Sequence, residues 1–263
     1  MYGYSKLEKH NENVAFEPSD NMTINSIPIH QVVQGYRQLT VSGRGLVGQT
    51  VKTTSIAGRR GVWVEDISES ERVLEIKYQL TADSSADLRN KFNRLNGFLR
   101  SLSYESEMLE VSFKDEPDYI YYAIFNSADA IEENALTIVS RFSLLVPDGF
   151  KKKIVQTSTG QIRLQDAKQV TPVSIKVTTT KPTSEVKITN GRQTISFTGT
   201  YEGAQDIMIE FLQDEVKATY KNRSILSQLD LFSDLENFNV RNFDDITATN
   251  ATVREVKWRD EQR

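Results

Sequence analysis

Few residues in this chain are of the types that carry chemistry. Cysteine is absent, and the histidines are two, His10 and His30. No disulfide, thiolate nucleophile or thiolate metal site can be built. Two histidines also exclude a histidine-rich metal centre. A serine–histidine–carboxylate triad would have to use His10 or His30, both in or near a polar N-terminal stretch, and no nucleophile elbow occurs. Carboxylates are more plentiful. Asp115, Glu116 and Asp118 could offer hard oxygen ligands to calcium. Pro117 sits inside that cluster between strand-like flanks, and Asp and Pro are turn formers in their own right, so a β-turn is the favoured reading. The same choice applies to Asp230 with Asp234 and to Asp244-Asp245. The aromatic run Tyr119, Tyr121, Tyr122 and Phe125 reads as core and interface before sugar platform.

Two further patterns invite a ligand. The run Ser42-Gly43-Arg44-Gly45-Leu46-Val47-Gly48 contains G-x-G-x-x-G, with Glu65 about twenty residues on, as in dinucleotide sites. Such a site needs a helix N-terminus directly after the glycines. Residues 49–57 are rich in Val, Thr and Ile with no helical stripe, so the glycines serve a long β-hairpin with a movable tip. The second pattern is charge. The chain carries −4 overall, yet Arg37, Arg44, Lys52, Arg59 and Arg60 fall between Asp20 and Glu65 with no acid among them. A solvated loop is the plain reading of that +5 block. Nucleic-acid binding wants aromatics interleaved with the basic residues, and only Tyr36 and Trp63 qualify, at the margins. Docking onto an acidic neighbour ranks above it. No catalytic, cofactor or metal residue is assigned, and the chain reads as non-enzymatic.

The elements that hold these residues are mostly strands. In 72–80, Leu74, Ile76, Tyr78 and Leu80 alternate with Glu75, Lys77 and Gln79, which puts one face in a core and one in water. From 84 to 102 the period changes to that of a helix, with Leu88, Phe92, Leu95, Leu99 and Leu102 on one stripe. Ser84 and Asp87 open it as a variant capping box. Leu109, Val111 and Phe113 alternate again, followed by the turn at 115–118 and a strand over 119–125. Leu136, Ile138, Phe142, Leu144 and Val146 mark a long strand, ended by Pro147-Asp148-Gly149. One helix among strands argues for a mainly β domain with a single cover, not a doubly wound sheet.

A length of 263 residues fits one large domain or two ordinary ones. Residues 1–25 read as a polar lead-in arm, with candidate strands over 27–33 and 36–41. The first domain spans 1–150, 151–165 reads as a linker, and 166–263 forms a second domain. There Val173, Ile175 and Val177 alternate, and strands over 185–189 and 192–197 flank Asn190-Gly191, the strongest hairpin signal in the chain. Pairing about it places Val186, Ile188, Ile195 and Phe197 on one face. Further strands carry Ile207, Ile209 and Phe211, then Val216, Ala218 and Tyr220, then 252–258. Ile225, Leu229, Phe232 and Leu235 could form a short helix. The regular spacing suggests a β-sandwich. No apolar run spans a bilayer, and no signal peptide opens the chain.

Four segments in this order resemble the distal tail proteins of long-tailed bacteriophages that infect Gram-positive hosts. Ala57-Gly58-Arg59-Arg60-Gly61 looks like that family's Pro-Gly-Arg-Asp-Gly turn, departing at Ala57 and Arg60. The helix over 87–102 sits where the family has its single helix. Residues 109–113 with Asp115-Glu116-Pro117-Asp118 and Tyr121-Tyr122-Ala123 resemble its L-x-F-x-D-E-P … Y-x-A segment. Phe142 through Pro147-Asp148-Gly149-Phe150 resembles the end of its first domain. The likeness covers about 30–150. It implies a β-barrel-like N-terminal domain with one helix, a galectin-like C-terminal β-sandwich, and a hexameric ring at the distal end of the tail, within the virion, assembled in the host cytoplasm. The implied role is a baseplate hub between the tail tube protein and the tail-associated tip protein, often with receptor-binding proteins, and with neither membrane nor sequence-specific nucleic acid as a partner. A working galectin sugar site is not implied, because no histidine lies beyond His30. A carbohydrate-binding module contacting the host surface, and a tail-tube or other baseplate subunit, stand as alternatives. Arg44, Lys52, Arg59 and Arg60 are the candidate inter-subunit residues, on a basic hairpin at 42–61 that would reach the next subunit. Removing 43–57 is then expected to leave a folded monomer and abolish the ring.

Overall fold

The computed structural model describes residues 18–100, 108–131, 135–212 and 215–263, and the chain divides into two compact units. The first holds strands β1 (Met22–Ile24), β2 (Ile27–Pro28), β3 (Tyr36–Ser42), β4 (Gln49–Thr54), β5 (Trp63–Glu69), β6 (Arg72–Thr81), β7 (Leu109–Phe113), β8 (Glu116–Ala128, of which Asp118–Ile120 belong to the second unit) and β9 (Thr137–Val146). It also holds helices α1 (Ile29–Val32) and α2 (Ser85–Leu99). The main sheet runs β2-β1-β7-β8-β9-β6-β3, all antiparallel. It follows an open path and does not close into a barrel.

Strand β6 is the centre of this unit, paired over its whole length with β9 and along β3 on its other edge. Its alternation is realised: Leu74, Ile76, Tyr78 and Leu80 are buried and the residues between them are not. Helix α2 lays Leu88, Leu95 and Leu99 on that core. Its N-terminus is capped as read, Ser84 Oγ accepting the Asp87 N–H at 3.1 Å and Asp87 accepting the Asp83 N–H at 3.1 Å. Asp87 also pairs with Lys91 one turn on, at 2.7 Å. Leu102 of the expected stripe lies outside the described residues.

Two expectations are corrected here. Of the lead-in arm, residues 1–17 lie outside the described residues, but Met22 and Ile24 are fully buried in β1. Burying such side chains contributes about 1.5–3 kcal/mol each, enough to hold a strand in a polar stretch. The segment 27–33 is not one strand, because helix α1 starts at Ile29, directly after Pro28.

The second unit holds β10 (Lys151–Lys153), β11 (Gln156–Ser158), β12 (Gln169–Val170), β13 (Ser174–Thr179), β14 (Thr183–Thr189), β15 (Thr194–Tyr201), β16 (Asp206–Phe211), β17 (Val216–Tyr220) and β18 (Arg223–Ser224). It continues with β19 (Val240–Arg241), β20 (Thr247–Thr249), β21 (Ala251–Trp258) and β22 (Glu261–Gln262). A sheet of order β11-β21-β13-β16-β17-β18 and one of order β15-β14-β20 bury their apolar faces in one core. Two sheets sharing a core is the sandwich arrangement that the strand spacing suggested.

The β14–β15 hairpin differs from its simplest reading. Thr189 pairs with Thr194, so the loop has four residues, not two. Asn190 Oδ1 accepts the N–H groups of Arg192 and Gln193, which stabilises the wider loop. The register moves by two residues, so Val186, Ile188, Ile195 and Phe197 still share one buried face.

The expected linker at 151–165 is not a solvated tether. Strand β10 pairs with β22 and with Tyr119 and Ile120, β11 pairs with β21, and Ile162 and Leu164 are buried. Two apolar residues within a polar run were enough to draw it into the core. The expected short helix near 225–235 is a single 3₁₀ turn, Leu226–Gln228, followed by a loop in which Phe232 faces water.

Candidate assembly interface

The most exposed ordered element of the first unit is the β4–β5 ribbon. Among the described residues the two strands pair only with each other, and every residue of both is exposed. The strand after the glycine run is the one its Val and Thr content required, so no helix stands behind G-x-G-x-x-G. A lone two-stranded ribbon is marginal in water. This one also shows an apolar stripe. Val51 pairs with Ile67 and Thr53 with Val64, so Val51, Ile67 and Val64 share one face, each about half exposed. The other face carries Lys52 opposite Asp66 and Thr54 opposite Trp63. A bulge between Lys52 and Thr53 leaves Glu65 beside both strands, where it pairs with Lys52 at 3.4 Å and accepts a hydrogen bond from the Thr54 hydroxyl.

This geometry changes the reading of the basic block. The hairpin does not span 42–61. Its return strand reaches Glu69 and adds Glu65, Asp66 and Glu69 to the ribbon, three acids against Lys52, Arg59 and Arg60. The ribbon is close to neutral, and its distinguishing surface is apolar. Arg59 and Arg60 lie in the exposed tip, with the Arg59 guanidinium 5.0 Å from the Trp63 ring centre.

Arg44 has a different role from the other three. It lies at the base of the ribbon and grips the turn after β7. One guanidinium nitrogen donates to Asp115 Oδ2 at 3.0 Å, and the other contacts Asp115 Oδ1 at 2.9 Å and Glu116 Oε2 at 3.3 Å. The guanidinium also lies 4.3 Å from the centre of the Phe113 ring. Burial works to lower the Arg44 pKa, and the bonds to Asp115 and Glu116 more than offset it, leaving it above its ordinary value. The Tyr121 hydroxyl donates to Glu116 at 3.1 Å, and its pKa is pushed up to about 12 by burial and then by that carboxylate. The acidic turn is thus the counter-grip for Arg44, across 71 residues of sequence. Among the described residues no group of three His, Asp or Glu side chains is placed to hold a metal ion.

Arg72, which the sequence did not single out, fixes the same base from beneath. It is 1% exposed. Its Nε donates to the Gly149 carbonyl at 3.1 Å, and one terminal nitrogen donates to the carbonyls of Gly43 at 3.0 Å and Gly45 at 3.1 Å. Gly43 is glycine for a steric reason. Its φ is +87°, and a Cβ there would stand 1.9 Å from the Val73 carbonyl oxygen. The glycines at 43 and 45 therefore serve the anchored base of the ribbon, and Gly58 and Gly61, both at positive φ, serve its tip.

A bridged base and a ribbon with an uncovered apolar stripe form an arrangement suited to assembly. Residues 29–145 match the model of the phage tail protein RIFT-related domain family. The fold as a whole is similar to the crystal structure of the SPP1 Dit protein, described as a paradigm of the hub adsorption apparatus in phages infecting Gram-positive bacteria. That match has a TM-score of 0.73 at 15% identity, covering 92% of this chain and 99% of that one. A chain of the phage P2 baseplate in its activated conformation with calcium matches with a TM-score of 0.53 at 10% identity, covering 87% of this chain and 91% of the other. No curated protein sequence matches. The resemblance read from 30–150 is borne out, and the domain match supports a structural role in the phage tail.

Proposed function

We propose that this chain is a baseplate hub subunit of a phage tail, closing with further copies of itself into a hexameric ring in the virion. The ring would join the tail tube to the tip protein and to receptor-binding proteins, with no catalytic role. The observation that carries this reading is the β4–β5 ribbon with its uncovered stripe of Val51, Val64 and Ile67. In a head-to-tail ring each subunit offers two different patches, and the ribbon is one of them. Lys52, Arg59 and Arg60 set its orientation on the next subunit, while the apolar stripe supplies most of the burial.

The structure fixes where to cut. Removing 43–57 would take away the Gly43 and Gly45 carbonyls that Arg72 needs. Excising 49–69 and closing the gap with a short Gly-Ser link leaves that base intact. The excised chain is expected to keep its far-ultraviolet circular dichroism and cooperative unfolding, and to run as a monomer in light scattering where the intact chain forms a ring. Rings that persist after excision would show that the ribbon is not the fastener.

A further inference from the structure

The second unit carries an open groove of about 790 Å³ that the assembly reading does not use. Its lining mixes aliphatic side chains, Val216, Leu226, Leu229 and Leu235 among them, with carboxylates and other polar groups. The loop from Leu229 to Asn237 forms one wall and lifts two large apolar side chains into water: Leu231 is 91% exposed and Phe232 is 90% exposed. The loop is built rather than slack. The N–H groups of Asp230 and Asp234 donate to the Ser196 and Thr194 carbonyls, each at 2.9 Å. The Ser196 N–H donates to Ser233 Oγ at 3.0 Å and the Thr194 N–H to Asp234 Oδ2 at 3.0 Å, while Asp230 Oδ1 accepts the Phe232 N–H at 3.0 Å. Five hydrogen bonds hold a tip whose two outermost residues gain nothing in water. Adjacent exposed apolar side chains fixed beside a groove of mixed aliphatic and acidic lining mark a contact surface.

Charge says what covers it. Glu215, Asp230, Asp234 and Glu236 line the groove, and among the described residues no lysine or arginine does. Lys217 lies nearby and engages Glu215 at 2.8 Å. Phe211 of the lining has its ring stacked on Phe238 at a centroid distance of 6.3 Å, which leaves Phe232 as the open aromatic face beside the groove. We propose that this groove docks a basic, amphipathic segment of another protein. The partner's apolar side chains would sit on Leu231, Phe232 and the aliphatic lining, and its Lys or Arg side chains on the carboxylates.

The test uses the full chain and a short synthetic peptide alternating lysine and leucine, followed by calorimetry. Saturable binding is expected, weakening as salt is raised. The double variant L231S/F232S should lose affinity roughly tenfold or more, as anchor residues do. Both side chains are almost wholly in water, so the variant keeps its fold. The charge-only variant E215Q/E236Q should also bind more weakly. Binding unchanged in L231S/F232S would overturn the proposal, as would equal affinity for a peptide alternating glutamate and leucine. Self-association that L231S/F232S abolishes would overturn it too, by making a second copy the occupant.

Discussion

Arg72→Ala is expected to unfold the first unit more readily than any exposed substitution in it. The guanidinium is buried and gives three hydrogen bonds to main-chain carbonyls, at Gly43, Gly45 and Gly149. Bonds from a charged donor are worth about 1.5–3 kcal/mol each, and truncation leaves the carbonyls without that partner and opens a void. Partial hydration of the exposed loop side returns some of this, so a net loss of about 3–5 kcal/mol is expected. That corresponds to a fall in Tm of roughly 10–20 °C for a unit of this size. Arg72→Lys should recover only part, because an ammonium cannot fork to both sides as a planar guanidinium does. Thermal unfolding followed by circular dichroism checks it. An unchanged first transition in Arg72→Ala would remove Arg72 as the anchor of the ribbon base.

The matching residue in the second unit is Asp260, fully buried one residue before β22. Its carboxylate accepts the N–H groups of Gln165 at 2.7 Å, Asp166 at 3.2 Å, Ala167 at 3.1 Å and Glu261 at 3.0 Å, with Lys153 Nζ at 3.6 Å. Burial alone would raise its pKa. The backbone donors and then Lys153 more than offset burial, so it lies below the ordinary carboxylate value. A folded-state pKa below the unfolded one means the folded chain gives up this proton more easily. The stability it contributes is complete above the unfolded value of about 3.9, and is lost as pH falls through the folded one. Asp260→Ala should cost the second unit about 3–5 kcal/mol at neutral pH, because several buried donors lose their acceptor at once. It should also flatten the acid limb of that unit's stability profile. Denaturant titrations of both proteins between neutral and acid pH check both effects. A variant as acid-sensitive as the parent would assign the acid limb to other carboxylates.

Local pattern made most of the strands legible. The alternation of Leu74, Ile76, Tyr78 and Leu80, the helical stripe of Leu88, Leu95 and Leu99, and the hairpin faces at Val186 and Phe197 each depend on near neighbours in sequence. The departures have physical causes of longer reach. Met22 and Ile24 alternate across only three residues, too short a run to register as a strand. Ile162 and Leu164 are isolated in a polar segment, and their burial is decided by what folds around them. The candidate site was half legible. The glycines and the exposed hairpin are readable in the sequence, but the return strand mixes acids with Val64 and Ile67, so its reach to Glu69 carries no clean alternation. Nothing local ties Arg44 to Asp115 or Arg72 to Gly149. Arg44 is paired at the ribbon's own base, and the apolar stripe shows only in the register that sets Val51 opposite Ile67.

The central proposal is that copies of this chain close into a ring through the ribbon. The native mass of the intact protein, measured by light scattering over a range of concentrations, tests it most directly. A hexamer of the 29.9 kDa chain has a mass of about 180 kDa, and that value is expected, with six-fold rings in negative stain. A chain that stays at 29.9 kDa at every concentration would contradict it.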